Sequence, residues 1–94
     1  MSISFDQRVS LPTDVLISKV QDESVILNLD SERYFGLDEV GTRFMTLLTT
    51  SATIQAAYEV LVEEYDVDAA VLRQDLSEML EKLLEQGLVK VESD

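Results

Sequence analysis

The side chains of this chain that could do chemistry are carboxylates, hydroxyls and a few bases, because the sequence contains no histidine and no cysteine. Without histidine, the usual general base near neutral pH and the usual imidazole metal ligand are missing, and a Ser–His–Asp arrangement is excluded. Without cysteine there is no disulfide, thiolate zinc site, iron–sulfur cluster or thiol nucleophile. Carboxylates could hold a hard cation, but no EF-hand loop pattern is present. We therefore expect a binding protein with no catalytic activity, no cofactor and no metal.

One predicted helix, residues 68–86, carries the most specific candidate for a binding surface. At about 100° per residue, Leu72, Met79 and Leu83 share a core stripe. The apolar arc extends past this stripe on one side only, toward a flank formed by Ala70, Arg73, Ser77, Leu80 and Leu84. This flank either packs against the rest of the domain or forms one wall of a peptide groove. Arg73 is suited either to an acidic residue of a bound peptide or to an acid of its own chain.

The edge of a predicted sheet at residues 33–37 is the second candidate surface. A three-stranded meander has two edges, each with unused backbone donors and acceptors. The strand here carries Arg33, Tyr34, Phe35 and Gly36, and its aromatic side chains serve either as core packing or as ligand contacts. If helix 68–86 lies beside this edge, an extended peptide could add as a fourth strand, with backbone hydrogen bonds giving affinity and side-chain pockets giving specificity.

The elements that must position these surfaces change character near residue 37. Residues 15–20, 24–29 and 33–37 are apolar runs of strand length separated by polar turns, which predicts an antiparallel meander. Asp38 and Thr53 are suited to cap the first two helices. A third helix is predicted from about Asp68 to Gln86, and Gly87 is suited to end it. The sequence therefore predicts an α+β domain over residues 13–91, with an irregular lead-in at 1–12 and a C-terminal tail at 92–94. Residues 88–91 either form a short strand or pack as part of that tail.

The charge balance bears on partners. Nineteen acids against seven bases give a formal charge of −12, which disfavours nucleic acid and anionic membranes because both are bound mainly through Lys and Arg. No apolar run approaches the length of a membrane span, and no signal-peptide pattern is present. We therefore expect a cytoplasmic protein whose acidity mainly serves solubility.

A longer pattern resembles a known family. Residues 27–41 read L-N-L-D-x-x-x-Y-F-G-L-x-x-x-G, and the sequence LLEQGLV follows at residues 83–89. This order is similar to that of the PqqD family over roughly residues 12–91. Phe44 departs from the pattern, since Trp is common at that position, but this is a core substitution that similar side-chain volumes tolerate.

The resemblance implies a winged-helix-like domain that acts as a recognition element of ribosomally synthesised, post-translationally modified peptide (RiPP) pathways. Such a domain binds the leader segment of a precursor peptide and presents the core to a separate enzyme, either the leader peptidase of a lasso-peptide pathway or the radical enzyme of pyrroloquinoline quinone synthesis. Carried over to this chain, the peptide-binding positions would be Arg33, Tyr34, Phe35, Gly36, Ala70, Arg73, Ser77, Leu80 and Leu84. The alternative is a winged-helix DNA-binding regulator, for which helix 68–86 offers only Arg73 and Lys82 within an acidic segment.

Overall fold

The computed structural model describes residues 3–92, which form five strands and three helices. The strands are β1 (Arg8–Ser10), β2 (Val15–Val20), β3 (Glu23–Asn28), β4 (Tyr34–Leu37) and β5 (Lys90–Glu92). The helices are α1 (Glu39–Thr50), α2 (Ile54–Glu64) and α3 (Ala69–Glu85). The predicted order of three strands followed by three helices is confirmed.

The main sheet is the predicted meander, with strand order β2-β3-β4 and antiparallel pairing throughout. Its inner face carries Ile26 and Leu37, which are buried against the helices, and its outer face is exposed. Because β3 lies in the centre, β4 keeps one edge without a neighbouring strand.

Capping residues set the helix boundaries as the sequence predicts. The Asp38 side chain accepts a hydrogen bond from Gly41 N, and the Thr53 side chain accepts one from Ala56 N. The Asp68 side chain caps α3 in the same way by accepting from two backbone N–H groups. These bonds satisfy donors that the first turn of a helix leaves free. Gly87, with φ +71°, ends α3 in the left-handed conformation that glycine adopts without steric cost.

A second, smaller sheet corrects the expectation of an irregular lead-in. Residues 8–10 form β1, which pairs antiparallel with β5, so Arg8 lies opposite Glu92 and Ser10 opposite Lys90. Residue 92 therefore belongs to a strand rather than to a tail, while residues 1–2 and 93–94 lie outside the described part of the chain. The structure also settles the alternatives for residues 88–91, because Leu88 and Val89 are buried and β5 follows them.

The N-terminal segment is packed on α2 and α3. The backbone carbonyls of Gln7 and Phe5 accept hydrogen bonds from Ile54 N and Gln55 N, both at 2.8 Å, which satisfies first-turn donors of α2. The Phe5 side chain is buried, and its ring meets that of Tyr58 edge to face with 5.7 Å between centroids. Phe5 thus extends the hydrophobic core beyond the predicted domain.

Candidate peptide-binding groove

Only alternate residues of β4 offer backbone groups at its free edge. In an antiparallel ladder, hydrogen-bonded and non-bonded residue pairs alternate. Asn28 N donates to Arg33 O at 2.9 Å, and this bonded pair sets the alternation along β4. Phe35, two residues on, therefore bonds inward to β3, whereas Tyr34 and Gly36 direct their N–H and C=O groups outward. A strand docked at this edge would find up to four backbone partners.

A groove lies between this edge and α3. The cavity has a volume of about 550 Å³ and is lined by the end of β4, the start of α1 and the N-terminal half of α3. Its apolar lining comprises Leu37, Val40, Val67, Val71, Leu72, Leu76 and Met79, and its polar lining comprises Asp38, Asp68 and Asp75. Val67 and Val71 are 52% and 57% exposed, which leaves apolar surface open to a ligand.

Hydrogen bonds at both ends fix the spacing of the groove. At one end the Asn28 side chain donates to Gly87 O at 3.0 Å, joining the end of β3 to the C-terminus of α3. The same side chain accepts from Asp30 N and Ser31 N and so shapes the turn that leads into β4. The end of β4 lies beside the start of α3 in the cavity, and the turn before β4 is joined to the C-terminus of α3. The strand and the helix therefore run in opposite directions along the groove.

At the other end, the contact of β3 and β4 with α1 includes buried hydroxyls. Ser24 Oγ and Thr42 Oγ1 lie 2.7 Å apart and share a hydrogen bond, and Thr42 Oγ1 also donates to Leu37 O at 3.4 Å. Gly41 allows α3 to approach α1 closely, because a Cβ there would lie 3.3 Å from Met79 Sδ. This close approach places Met79 beside the groove floor.

Of the four predicted contact residues on the strand, only Gly36 lines the cavity, and the others differ in orientation. Gly36 lines the cavity, and no atom lies within 4 Å of the position that a Cβ would take. Tyr34 is 69% exposed on the outer face of the sheet, and Arg33 is exposed just before β4. Phe35 points the other way and packs against the core, so its side chain does not face the open edge.

The predicted flank of α3 does not face the strand edge. Leu80 is fully buried, Leu84 packs against the core, and Ala70 and Ser77 do not line the cavity. Arg73 lies on the far side of α3, with its guanidinium 3.8 Å from the centroid of the Phe5 ring and Nη1 donating to Gln55 Oε1 at 2.9 Å. The angular asymmetry of the apolar arc therefore reflects packing on the N-terminal segment and α2.

The flank of α3 that faces the groove carries Val71, Asp75 and Met79. Asp75, at the centre of this flank, lies about 160° around the helix axis from Arg73. The residues of this flank are not among the contacts predicted from the sequence, because the side of α3 that carries Asp75 is largely polar. The available signal was Val71, together with Val67 just before the helix. Both are apolar residues outside the core stripe.

The pKa shifts in the structure belong to a cluster beside α1 and α2. Arg43 Nε and Nη2 donate to Glu64 Oε1 at 2.8 Å and Oε2 at 2.6 Å, a two-pronged ion pair. The hydrogen bond from Arg43 holds the pKa of the Glu64 carboxyl below its usual range, and the same bond raises the pKa of Arg43. Desolvation raises the pKa of the adjacent Tyr65 hydroxyl. The ion pair links α1 to α2 and lines no part of the groove.

Within residues 3–92, no group of His, Cys, Asp and Glu side chains is arranged to hold a metal ion. Nor does any helix in that range have the length and apolar character needed to cross a membrane. The residues that line the groove offer apolar side chains and three carboxylates, and the edge of β4 beside it offers backbone hydrogen-bonding groups.

Three antiparallel strands followed by three helices, with the last helix beside an open strand edge, define a winged-helix-like α+β domain. Residues 23–89 match the model of the family described as coenzyme PQQ synthesis protein D (PqqD), and the chain belongs to this family. The solved structure titled TbiB1 in complex with the TbiA(beta) leader peptide is similar to this chain, with 31% sequence identity and a TM-score of 0.77. The similarity covers 86% of this chain and 94% of that one. Among curated proteins, none matches this chain.

Proposed function

We propose that this chain binds the leader segment of a ribosomal precursor peptide, does not itself catalyse a reaction, and delivers the peptide to a separate modifying enzyme. The observation that carries the proposal is the open edge of β4, whose outward backbone groups at Tyr34 and Gly36 lie beside a partly apolar groove. The similarity to a protein solved with a leader peptide supports the same conclusion.

The peptide adds as a fourth strand and places alternate side chains on the two faces of the extended sheet. Side chains on the inner face enter the cavity and contact Val71, Leu72 and Met79. Side chains on the outer face lie beside Tyr34 and over the space left by Gly36. Val25, the partner of Gly36 in the ladder, is 40% exposed and gains cover from such a side chain.

The proposed contact residues accordingly differ from those expected from the sequence. On the strand, the backbone of Tyr34 and Gly36 makes the proposed contacts, whereas Phe35, also expected from the sequence, packs its side chain against the core. On α3, Val71, Asp75 and Met79 replace the flank that carries Arg73. Arg73 is occupied by Phe5 and Gln55, so the DNA-binding alternative loses one of the two bases on which it depended.

Backbone amide chemical shifts test this proposal directly. The probe is the leader segment of the precursor peptide encoded beside this chain's gene, titrated into isotope-labelled protein. We expect the largest shifts at Tyr34 and Gly36 and, on the groove side of α3, at Val71, Asp75 and Met79, with smaller shifts at Arg73. Shifts confined to the Arg73 side of α3 would overturn the proposed site, and the absence of any shift would overturn leader binding.

The partner enzyme is tested separately. A leader peptidase and a radical enzyme are the two classes that the family resemblance implies, and the neighbouring genes name the candidate to purify. We expect the candidate to process the full precursor faster when this chain is present, and the chain alone to leave the precursor unchanged. Equal rates with and without the chain would contradict the delivery role.

A further inference from the structure

The groove carries charge of one sign at the end where β4 stops and α3 begins. Asp38, Asp68 and Asp75 line it, and its described lining includes neither lysine nor arginine. The adjoining depression, at the turn between β2 and β3, is lined by Asp22, Glu23, Asp38 and Glu39, again without a base among its described lining residues. A ligand strand that passes this end therefore meets a field of carboxylates.

The three carboxylates of the groove are not equivalent. Asp38 Oδ1 accepts from Gly41 N at 2.8 Å, and Asp68 Oδ1 accepts from Ala70 N at 2.9 Å, so both are engaged as helix caps. Asp75 lies in the middle of the exposed wall of α3 and makes no hydrogen bond or ion pair with any described residue. Its charge is available to a ligand without breaking an existing interaction.

No lysine or arginine is among the described residues that line the groove around Asp75, and the nearest base on that side of α3 is Lys82, about two helical turns further on. Arg43 is paired with Glu64, and Arg73 is held over Phe5 on the opposite flank of α3. Lys19 donates to Thr46 Oγ1 at 3.3 Å, and neither residue lines the groove. An acidic residue placed beside Asp75 would be repelled by several carboxylates at once, whereas a basic residue would be attracted by all of them.

Resting on the proposed function, we infer that the peptide bound in this groove carries a lysine or arginine at the position that passes Asp75. The side chains beside Asp75 suit such a residue. Val71 and Met79 lie one helical turn to either side and offer apolar surface to its aliphatic stem, while its charged end reaches the carboxylate. The inference names a class of leader, one with a basic residue among apolar ones.

A phage-displayed library of random dodecapeptides tests this inference. Selection on the wild-type protein is expected to enrich peptides with one lysine or arginine between apolar residues. For the best selected peptide, D75N is expected to weaken binding about 1.4- to fivefold, since a solvent-exposed ion pair contributes about 0.2–1 kcal/mol. Added salt is expected to reduce the affinity of the wild type more than that of D75N, because salt screens the charge attraction.

Charge reversal and a matched control sharpen the test. Selection on D75K is expected to enrich aspartate or glutamate at the position where the wild type selects a base. The control is E63Q, which removes one exposed negative charge from α2 at a residue that lines neither of these two surfaces. We expect E63Q to select the same peptides as the wild type, with unchanged affinity.

The outcomes separate this inference from the proposed function. G36P blocks the strand edge, so peptides that bind the groove should lose affinity for this variant. Peptides that are sensitive to G36P but have no basic residue, and that bind wild type and D75N equally, would overturn the charge inference and leave leader binding intact. If no selected peptide is sensitive to G36P, the proposed groove itself is wrong.

Discussion

Gly36→Pro is the sharpest test of strand addition because it alters only the outward side of β4. The N–H of Gly36 points away from β3, so the sheet does not use it, and proline is tolerated at such a position on an edge strand. The substitution removes one of up to four backbone groups at the edge and places the proline ring where the peptide must approach. Binding should therefore suffer while the fold persists.

The size of the effect follows from the hydrogen bond that is lost. A net backbone hydrogen bond contributes about 0.5–1.5 kcal/mol, and leaving the opposing peptide carbonyl without a partner costs about 1–3 kcal/mol. We expect a loss of about 1–3 kcal/mol in binding, which is roughly fivefold to 150-fold in Kd. The stability of the free protein should change by no more than about 1 kcal/mol, because proline also restricts the unfolded chain.

Calorimetric titration of the leader peptide measures the affinity, and urea unfolding monitored by circular dichroism measures the stability. Gly36→Ala is the matched control, since it keeps the N–H and its Cβ would enter open space. We expect the alanine variant to lose much less affinity than Gly36→Pro, because no hydrogen bond is lost and its methyl group fills only part of the space that the peptide side chains cover. A folded Gly36→Pro protein with wild-type affinity would refute strand addition at β4.

The remaining predictions concern the supports of the groove. Arg73→Ala should lower the free energy of unfolding, measured in urea, by about 1 kcal/mol, because the stacking on Phe5 is lost. Peptide affinity should be unchanged. Reduced affinity with unchanged stability would instead support the prediction from the sequence that Arg73 contacts the peptide. Leu80→Ala should lower the free energy of unfolding by about 2–5 kcal/mol, because the side chain is fully buried. An unchanged free energy of unfolding would contradict the core placement of Leu80. Because the pKa of Glu64 is lowered from 4.5 in the folded protein, its stabilising effect is present at neutral pH and is lost as pH falls through that lowered pKa. The difference in thermal midpoint between wild type and Glu64→Gln should therefore shrink in acid, and a difference that grows would reverse the sign. Asn28→Asp keeps the oxygen that accepts hydrogen bonds in the turn but loses the donor to Gly87 O. Peptide affinity should therefore fall more in Asn28→Asp than in the control Asp30→Asn, which preserves the turn. Equal affinities of the two variants would show that this bond does not set the width of the groove.

Local signals in the sequence were sufficient to predict the three helices and the three-stranded meander. Asp38 and Thr53 cap α1 and α2 as expected, because a cap depends on residues three or fewer positions away. The strand β1 was missed because it is only three residues long and its partner lies at the other end of the described chain. Such pairing leaves no periodic pattern in a short window.

The sequence predicted a groove between the strand edge and α3, but not which residues of α3 line it. The angular count identified which residues of α3 are apolar, yet it could not tell which flank would meet which neighbour. Phe5 and Tyr58 decide this, since they occupy the Arg73 side and leave the Asp75 side open. An exposed acid such as Asp75 resembles an ordinary solvent-facing residue until the fold places it beside an open strand edge.

The pairing of β1 with β5 has a practical consequence for engineering. It brings the two ends of the described chain side by side, and the N-terminal segment packs on the flank of α3 opposite the groove. A fluorescent reporter or an enzyme domain joined at either end would therefore start from the side away from the peptide. The domain is thus a suitable module for fusion, in which a single tethered enzyme would act on whatever cargo follows the bound segment.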